Sequence, residues 1–378
     1  MSPDSTPDAP VSRYTRRGLL TRGAAGGAVL GLAPLAIGTS SAAADGSPDG
    51  HHTGVITGGN YQPNDPKAMA IASIIGGMAN INHGVLQIDM ARSDLGMITV
   101  SGIPTLPSFD GHHTFTFEPL PNNQVITNSV VALLPNEIQP VIDALISQQL
   151  VMQAFHQHFY DQSPQLWHIH FRGIGGPTDI AQRVQNVVAA TTTKVSSKPP
   201  PKMSSLPSQQ LADILLGTTP TIGAGGVVST WIPRGDRIVL QDVAINPLLN
   251  VSPHASFQPL GKGQAAAVVD FSMEAASVMP VMEEMRSQGW EVDCLYNQET
   301  DEYPQLFYSH QLKTGDPVTL ANEIRNGLAK TEVWWRRPGY AQAQHQRSKQ
   351  GDQSRHDRGQ HRNGDRHQHG KGKRRHRR

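Results

Sequence analysis

The chain of 378 residues contains one cysteine, Cys294. It cannot close an internal disulfide, so stability has to come from a packed core. The residues around it, 290–296, are largely apolar, the setting of a buried and unreactive thiol. Aromatic residues are scarce at 6% and charged residues make up 17%. No apolar run is long enough to span a bilayer. There is no Gly-rich phosphate loop, no Gly-x-Ser-x-Gly elbow and no Ser/His/Asp order, which argues against the common nucleotide-binding and serine-hydrolase classes. Gly223-Ala224-Gly225-Gly226 precedes a strand-like segment with no helix after it, so it reads as a turn.

The formal net charge of +1 hides two unusual ends. Arg16-Arg17-Gly18-Leu19-Leu20-Thr21 has the order of a twin-arginine export signal. A short, weakly apolar run (23–37) and the small-x-small site Ala42-Ala43-Ala44 follow it. Residues 1–44 are therefore expected to be a signal peptide, with Asp45 opening the mature chain. The implied location is outside the cytoplasm, secreted or in the cell envelope, with no membrane span in the mature chain. Residues 45–65 read as a flexible lead-in. Residues 336–378 are Arg, Lys, His, Gln and Gly with almost nothing apolar, too little to offset chain entropy, so a disordered tail is expected. Three roles compete for it: a solvated tail, a polycation on an anionic envelope surface, and a loose metal-chelating tract. Nucleic acid is not an expected partner, because the tail has no aromatic side chain after Tyr340 to stack on bases.

The middle of the chain repeats itself. Pro164-Gln165-Leu166 recurs 140 residues later as Pro304-Gln305-Leu306. At the same offset Pro140-Val141 matches Pro280-Val281, His170 matches His310, and Phe117-x-Pro119-Leu120 matches Phe257-x-Pro259-Leu260. Arg92-x-Asp94 pairs with Arg234-x-Asp236. Two copies of one unit follow, at 66–192 and 209–332, joined by a linker (193–208) rich in Pro, Ser and Lys. So long a period is a domain duplication, not a solenoid.

Within each copy a short helix comes first (67–75; 209–216), then strand-like segments. In the first copy Pro135-Asn136-Glu137 opens a helix with Ile138, Val141, Ile142, Leu145 and Ile146 on one face. Residues 151–160 and 165–172 read as two strands joined by a turn at 161–164, and a helix closes the unit. The order strand, helix, strand, strand, helix predicts an α+β fold. Each tandem repeat is expected to be a mostly antiparallel sheet with helices on one face, a ferredoxin-like βαββα core, the two related by a pseudo-two-fold axis.

Four histidines carry the sharpest chemical signal. His156 and His158 are two apart on one expected strand, and His168 and His170 on the next, so each pair shares a face. A hairpin folded about residue 163 would set His156 across from His170 and His158 across from His168. Cross-strand side chains at that spacing let imidazoles converge on a divalent transition metal such as zinc or copper, with His168 as fourth ligand or outer-shell donor. The alternative is ordinary strand histidines, with Phe155, Phe159, Trp167 and Phe171 alternating on the opposite face.

Other candidates carry less. Glu137 reads as a general base or outer carboxylate, or as a partner of the helix dipole. Arg92, Asp94, Arg234 and Asp236 read as a duplicated salt bridge or an anion site. His112-His113 falls in a Gly-containing loop; His83, His254 and His310 stand alone and read as structural.

The pattern resembles the LppY/LpqO-type exported proteins, a two-repeat family whose domain has no assigned biochemical function. Its Pro-Arg-x-Asp-Leu is met in part by Arg92-Ser93-Asp94-Leu95 and Pro233-Arg234-Gly235-Asp236, and its Glu-Val-x-Pro-Val by Glu137-Ile138-Gln139-Pro140-Val141. Its His-Asn-His appears as His156-Gln157-His158, followed by Pro164 and His170. The second copy departs, with Tyr296-Asn297-Gln298 for the histidine motif and Ser277 for the helix Glu. The resemblance thus implies a site in the first copy, largely lost from the second. Three functions stay open: a metal-binding protein, a metal-dependent hydrolase in which Glu137 or Asp161 moves the proton, and a non-catalytic envelope interaction protein.

Overall fold

The computed structural model describes residues 55–76, 78–193 and 203–331. The expected signal peptide (1–44), the basic tail (336–378) and most of the expected linker (193–208) lie outside the described residues.

After a two-residue strand β1 (Ile56–Thr57), the first repeat runs α1 (Pro66–Ile75), β2 (Met78–Asn82), β3 (Val85–Ala91), β4 (Ile98–Val100), β5 (Ile103–Thr105), β6 (His112–Leu120) and β7 (Gln124–Leu133). It continues through α2 (Ile138–Ser147), β8 (Val151–His156), β9 (Gln162–Ser163), β10 (Trp167–Gly175) and α3 (Pro177–Ala189). The second repeat opens with α4 (Ser208–Leu215), β11 (Thr221–Ile222), β12 (Val228–Trp231), β13 (Ile238–Leu240), β14 (Val243–Ile245) and β15 (His254–Gly261). It ends with β16 (Gln264–Met273), α5 (Ala275–Ser287), β17 (Glu291–Val292), β18 (Glu302–Tyr303), β19 (Phe307–Gly315) and α6 (Pro317–Leu328). Both repeats form a six-stranded sheet of the same order, β2-β3-β6-β7-β10-β8 and β11-β12-β15-β16-β19-β17. All strand pairs in these two sheets are antiparallel. The fold is α+β, and each copy contains the strand, helix, strand, strand, helix order.

Local chemistry sets the helix ends. Asp65 caps α1 by accepting from the Lys67 N–H at 2.8 Å, Pro66 occupies its first turn, and Gly76 ends it at φ 83°. In α2 the apolar stripe is narrower than expected: Val141 and Leu145 are buried, but Ile146 is 70% exposed. One residue past Leu145 the helix has turned by about 100°, which carries Ile146 off the sheet.

Each large sheet packs one face on its own helices. In the first repeat Ile71, Val141, Leu145 and Val184 meet Phe115, Phe117, Ile169 and Phe171 in one apolar cluster. Burying a side chain of this size contributes about 1.5–3 kcal/mol. Because strand side chains alternate, sending Ile169 and Phe171 to the helices sends His168, His170 and Arg172 to the opposite face.

That opposite face is covered by the other repeat, and the covering is reciprocal. The small sheet β5-β4-β9 brings Ile98 and Val100, with Phe109, Phe159 and Leu166, against Val227, Val268 and Leu312 of the second repeat. The small sheet β1-β14-β13-β18 brings Ile238, Leu240 and Val243 against Val85, Leu120 and Ile126 of the first. Phe159 therefore does not continue the alternation of Phe155 along the expected strand 151–160; β8 ends at His156 and Phe159 is buried between the repeats.

Hydrogen bonds across this boundary follow the 140-residue offset. The Leu106 N–H donates to Gln258 Oε1 at 2.7 Å, and the Asn246 N–H donates to Glu118 Oε2 at 2.8 Å. Arg172, on the same face as the histidines, donates to Gln153, Gln241 and Asp301. Among the described residues no helix is long and apolar enough to cross a membrane.

Candidate metal centre

The register of β8 against β10 places the histidines. His168 faces His156 and His170 faces Ala154, with an irregularity between His170 and Phe171. This corrects the expected pairing of His156 with His170 and His158 with His168. Residues 157–166 are not a tight turn. Within them β9 leaves the hairpin to pair with β4, Thr99 against Ser163, and Asp161 accepts from the Ser101 N–H. The resulting slip is two residues, which keeps every side chain on its expected face. His158 lies beyond the end of β8 and returns to the cluster through the bend that follows.

The rings then converge. Ligand atoms of His156, His158 and His170 lie within 4.8 Å of one another, and so do those of Asp110, His158 and His168. Asp110 Oδ1 sits 2.7 Å from His158 Nδ1. With Nδ1 donating to the carboxylate, His158 presents its Nε2 lone pair, the arrangement by which an outer carboxylate orients a metal-binding imidazole. His158 is sandwiched: His168 stacks on one side with centroids 3.3 Å apart, and His310 lies 3.6 Å away.

Seven of the eight ring nitrogens of His156, His158, His168 and His170 have no hydrogen-bond partner among the described residues. Buried polar atoms are nearly always paired, so seven together point to a ligand. Burial, reinforced by neighbouring imidazoles, holds His156, His158 and His170 well below the ordinary histidine range. Burial also lowers His168 to about 3. The rings are neutral at pH 7, the form that ligates metal. Buried His and Asp clusters of this kind are able to hold a metal ion.

The second repeat completes the surroundings. Tyr296 stacks on His156 with centroids 3.6 Å apart, and its hydroxyl has no partner among the described residues. His310, expected to be structural, sits in the cluster. Asp270 faces His254 across β15 and β16, and burial raises its carboxyl well above the ordinary range. A cavity of about 530 Å³ is lined by Asp110, His158 and His170 from one copy and by Asp270, Tyr296 and His310 from the other. Among the described residues no Lys or Arg lines it. Asp110, Asp270 and Tyr296 were not among the sequence candidates. The offset that carries His156 to Tyr296 and His170 to His310 is the available signal; in the sequence Tyr296 reads as part of a lost motif and His310 as a lone structural histidine.

Several candidates lie elsewhere. Glu137 is enclosed by Arg92 Nη1 at 2.7 Å, the Leu134 N–H at 2.7 Å and the Thr192 hydroxyl at 2.6 Å. Burial pushes its carboxyl up, but the bonds from Arg92 and Thr192 more than offset this and hold it below the ordinary range. It does not line the cavity. Arg92 also holds Asp94 at 2.7 Å and the Ala132 carbonyl at 2.8 Å. Arg234 does the same with Asp236 and the Ser272 carbonyl, both at 2.7 Å, without a glutamate. Both arginines are pinned inside a structural network. His112 and His113 are on β6 and not in a loop. His113 is fully buried and accepts from the Ala132 N–H, whereas His112 lines the cavity. Asp161 is exposed.

Residues 69–190 and 209–330 each match the family model described as Domain of Unknown Function (DUF1259). The chain belongs to this family. No curated protein and no solved structure matches it. The two family domains coincide with the two six-stranded sheets and their helices, so the histidine cluster stands where one domain meets the other.

Proposed function

We propose that this protein is an exported transition-metal-binding protein, with the ion held by His156, His158 and His170 and with Asp110 orienting His158. The observation that carries this reading is the set of buried, unpartnered imidazole nitrogens converging within 4.8 Å. The surroundings favour a cation: the cavity offers carboxylates and neutral rings, and no described Lys or Arg lines it to compete. An all-imidazole set without thiolate suits zinc or copper. The export half of the proposal rests on Arg16-Arg17 and Ala42-Ala43-Ala44, and fits a route that carries proteins already folded.

The test is elemental mass spectrometry of the purified full chain, with the six tail histidines (His345, His356, His361, His367, His369, His376) replaced by glutamine. Bound ion lost on the double change His156→Ala, His158→Ala supports the site. No ion after reconstitution with zinc and copper would sink it.

A second reading, a metal-dependent hydrolase, draws support from the cavity of about 530 Å³ beside the cluster, large enough for a small substrate. A bound ion would supply Lewis acidity and an activated water there. The proton would pass to Asp110 or Asp270, which line the cavity, and not to Glu137 or Asp161, which do not.

A further inference from the structure

One ion on His156, His158 and His170 leaves a second set of donors without a role. Asp110, His158 and His168 form another group within 4.8 Å, all three residues buried. His158 belongs to both groups. Its Nδ1 lies against Asp110, whereas its Nε2 has no partner among the described residues. Asp110 Oδ2 and both nitrogens of His168 are also unpartnered. A buried polar atom left unpaired is destabilising, and an ion in the first group satisfies none of these three.

We propose that the cluster holds two divalent ions that share His158. The first sits on the Nε2 edge with His156 and His170. The second sits on the Nδ1 edge with Asp110 and His168. The proposal rests on the first-site reading, since His158 is common to both.

The geometry suits sharing. The two nitrogens of an imidazole lie on separate edges of the ring, so ions on both are roughly 6 Å apart, given metal–nitrogen bonds of about 2 Å. Two ligand atoms about 2 Å from one ion at a right angle are roughly 3 Å apart. The present 2.7 Å between Asp110 and His158 is close to that spacing. His310, parallel to within 17° at 3.6 Å, holds the plane of His158. His168, parallel to His158 at 3.3 Å, must turn out of that stack for its in-plane lone pair to reach the second ion. The proton balance is simple. The neutral ring carries one proton, on Nδ1; the second ion takes its place, the ring becomes a bridging imidazolate, and one proton leaves to solvent. That imidazolate and Asp110 offset two of the four positive charges of the ions, with Asp270 on the cavity wall.

The experiment counts zinc ions per chain after dialysis, in the full chain with the six tail histidines changed to glutamine. Two ions, falling to one in His168→Ala, are expected. One ion, unchanged in His168→Ala, overturns the shared centre and leaves the single site standing. Two ions in both proteins overturn the assignment of the second. No ion overturns both readings. Should His168→Ala fail to fold, the copper-loaded parent decides by electron paramagnetic resonance. A coupled copper pair is expected, and only isolated mononuclear signals overturn the proposal.

Discussion

The phenol ring of Tyr296 lies on the imidazole of His156, planes 24° apart and centroids separated by 3.6 Å, although 140 residues separate them in the chain. Tyr296 occupies in the second copy the position that His156 holds in the first. The stack supports one ligand of the proposed site from across the repeat boundary. Tyr296→Ala is expected to weaken zinc affinity about tenfold or more in a chelator competition, the usual scale for removing a ligand's support. Tyr296→Phe keeps the ring and should retain affinity. A matching loss in Tyr296→Phe would mean that the hydroxyl, and not the stack, matters.

Glu137 separates a structural role from a catalytic one. It and Arg92 are almost wholly buried, at 2% and 0% exposure. Breaking a buried ion pair from one side costs about 3–5 kcal/mol. Glu137→Gln should lower the urea midpoint accordingly while leaving the ion count per folded chain unchanged. Loss of the ion at unchanged stability would contradict the placement.

Removing the metal should also destabilise. Anything bound only to the folded state stabilises it by mass action, by about 2.7 kcal/mol at a ligand concentration 100 times its dissociation constant. Chelation followed by dialysis should lower the thermal midpoint, and added zinc should restore it. The His156→Ala, His158→Ala protein should show no response to zinc. A response in that variant equal to the parent's would place the stabilising ion elsewhere.

Glu118 predicts a pH dependence of stability. Burial raises its carboxyl to about 7, partly offset by the Asn246 N–H. The folded state then keeps a proton that the unfolded chain releases near the ordinary value of 4.5. Stability is therefore fullest below about 4.5 and falls as pH rises to about 7, by at most about 3 kcal/mol. At the equivalent place Gln258 accepts the Leu106 N–H without a titrating group. Glu118→Gln should flatten the profile between pH 5 and 8 and be the more stable protein at pH 8. Equal pH slopes in urea denaturation would refute this.

Much of the fold was legible in the chain. The 140-residue repeat, α2 from Pro135 onward and the shared face of His168 and His170 all follow from local pattern, because helix and strand periodicities act over a few residues. The register of β8 was not legible. It depends on β9 pairing with β4, more than sixty residues upstream, and no local rule contains that contact. Glu137 misled for a similar reason: a carboxylate at a helix start looks available until Arg92 and Thr192 are seen around it.

By itself the sequence determined that the protein is a duplicated α+β unit whose first copy carries two His-x-His pairs within fifteen residues. Only the tertiary structure decided that the two copies cover each other's open sheet faces. Burial of apolar surface drives that pairing without regard to distance along the chain. It sets His310 beside His158 and Tyr296 beside His156, a contact that the missing His-x-His motif of the second copy does not reveal.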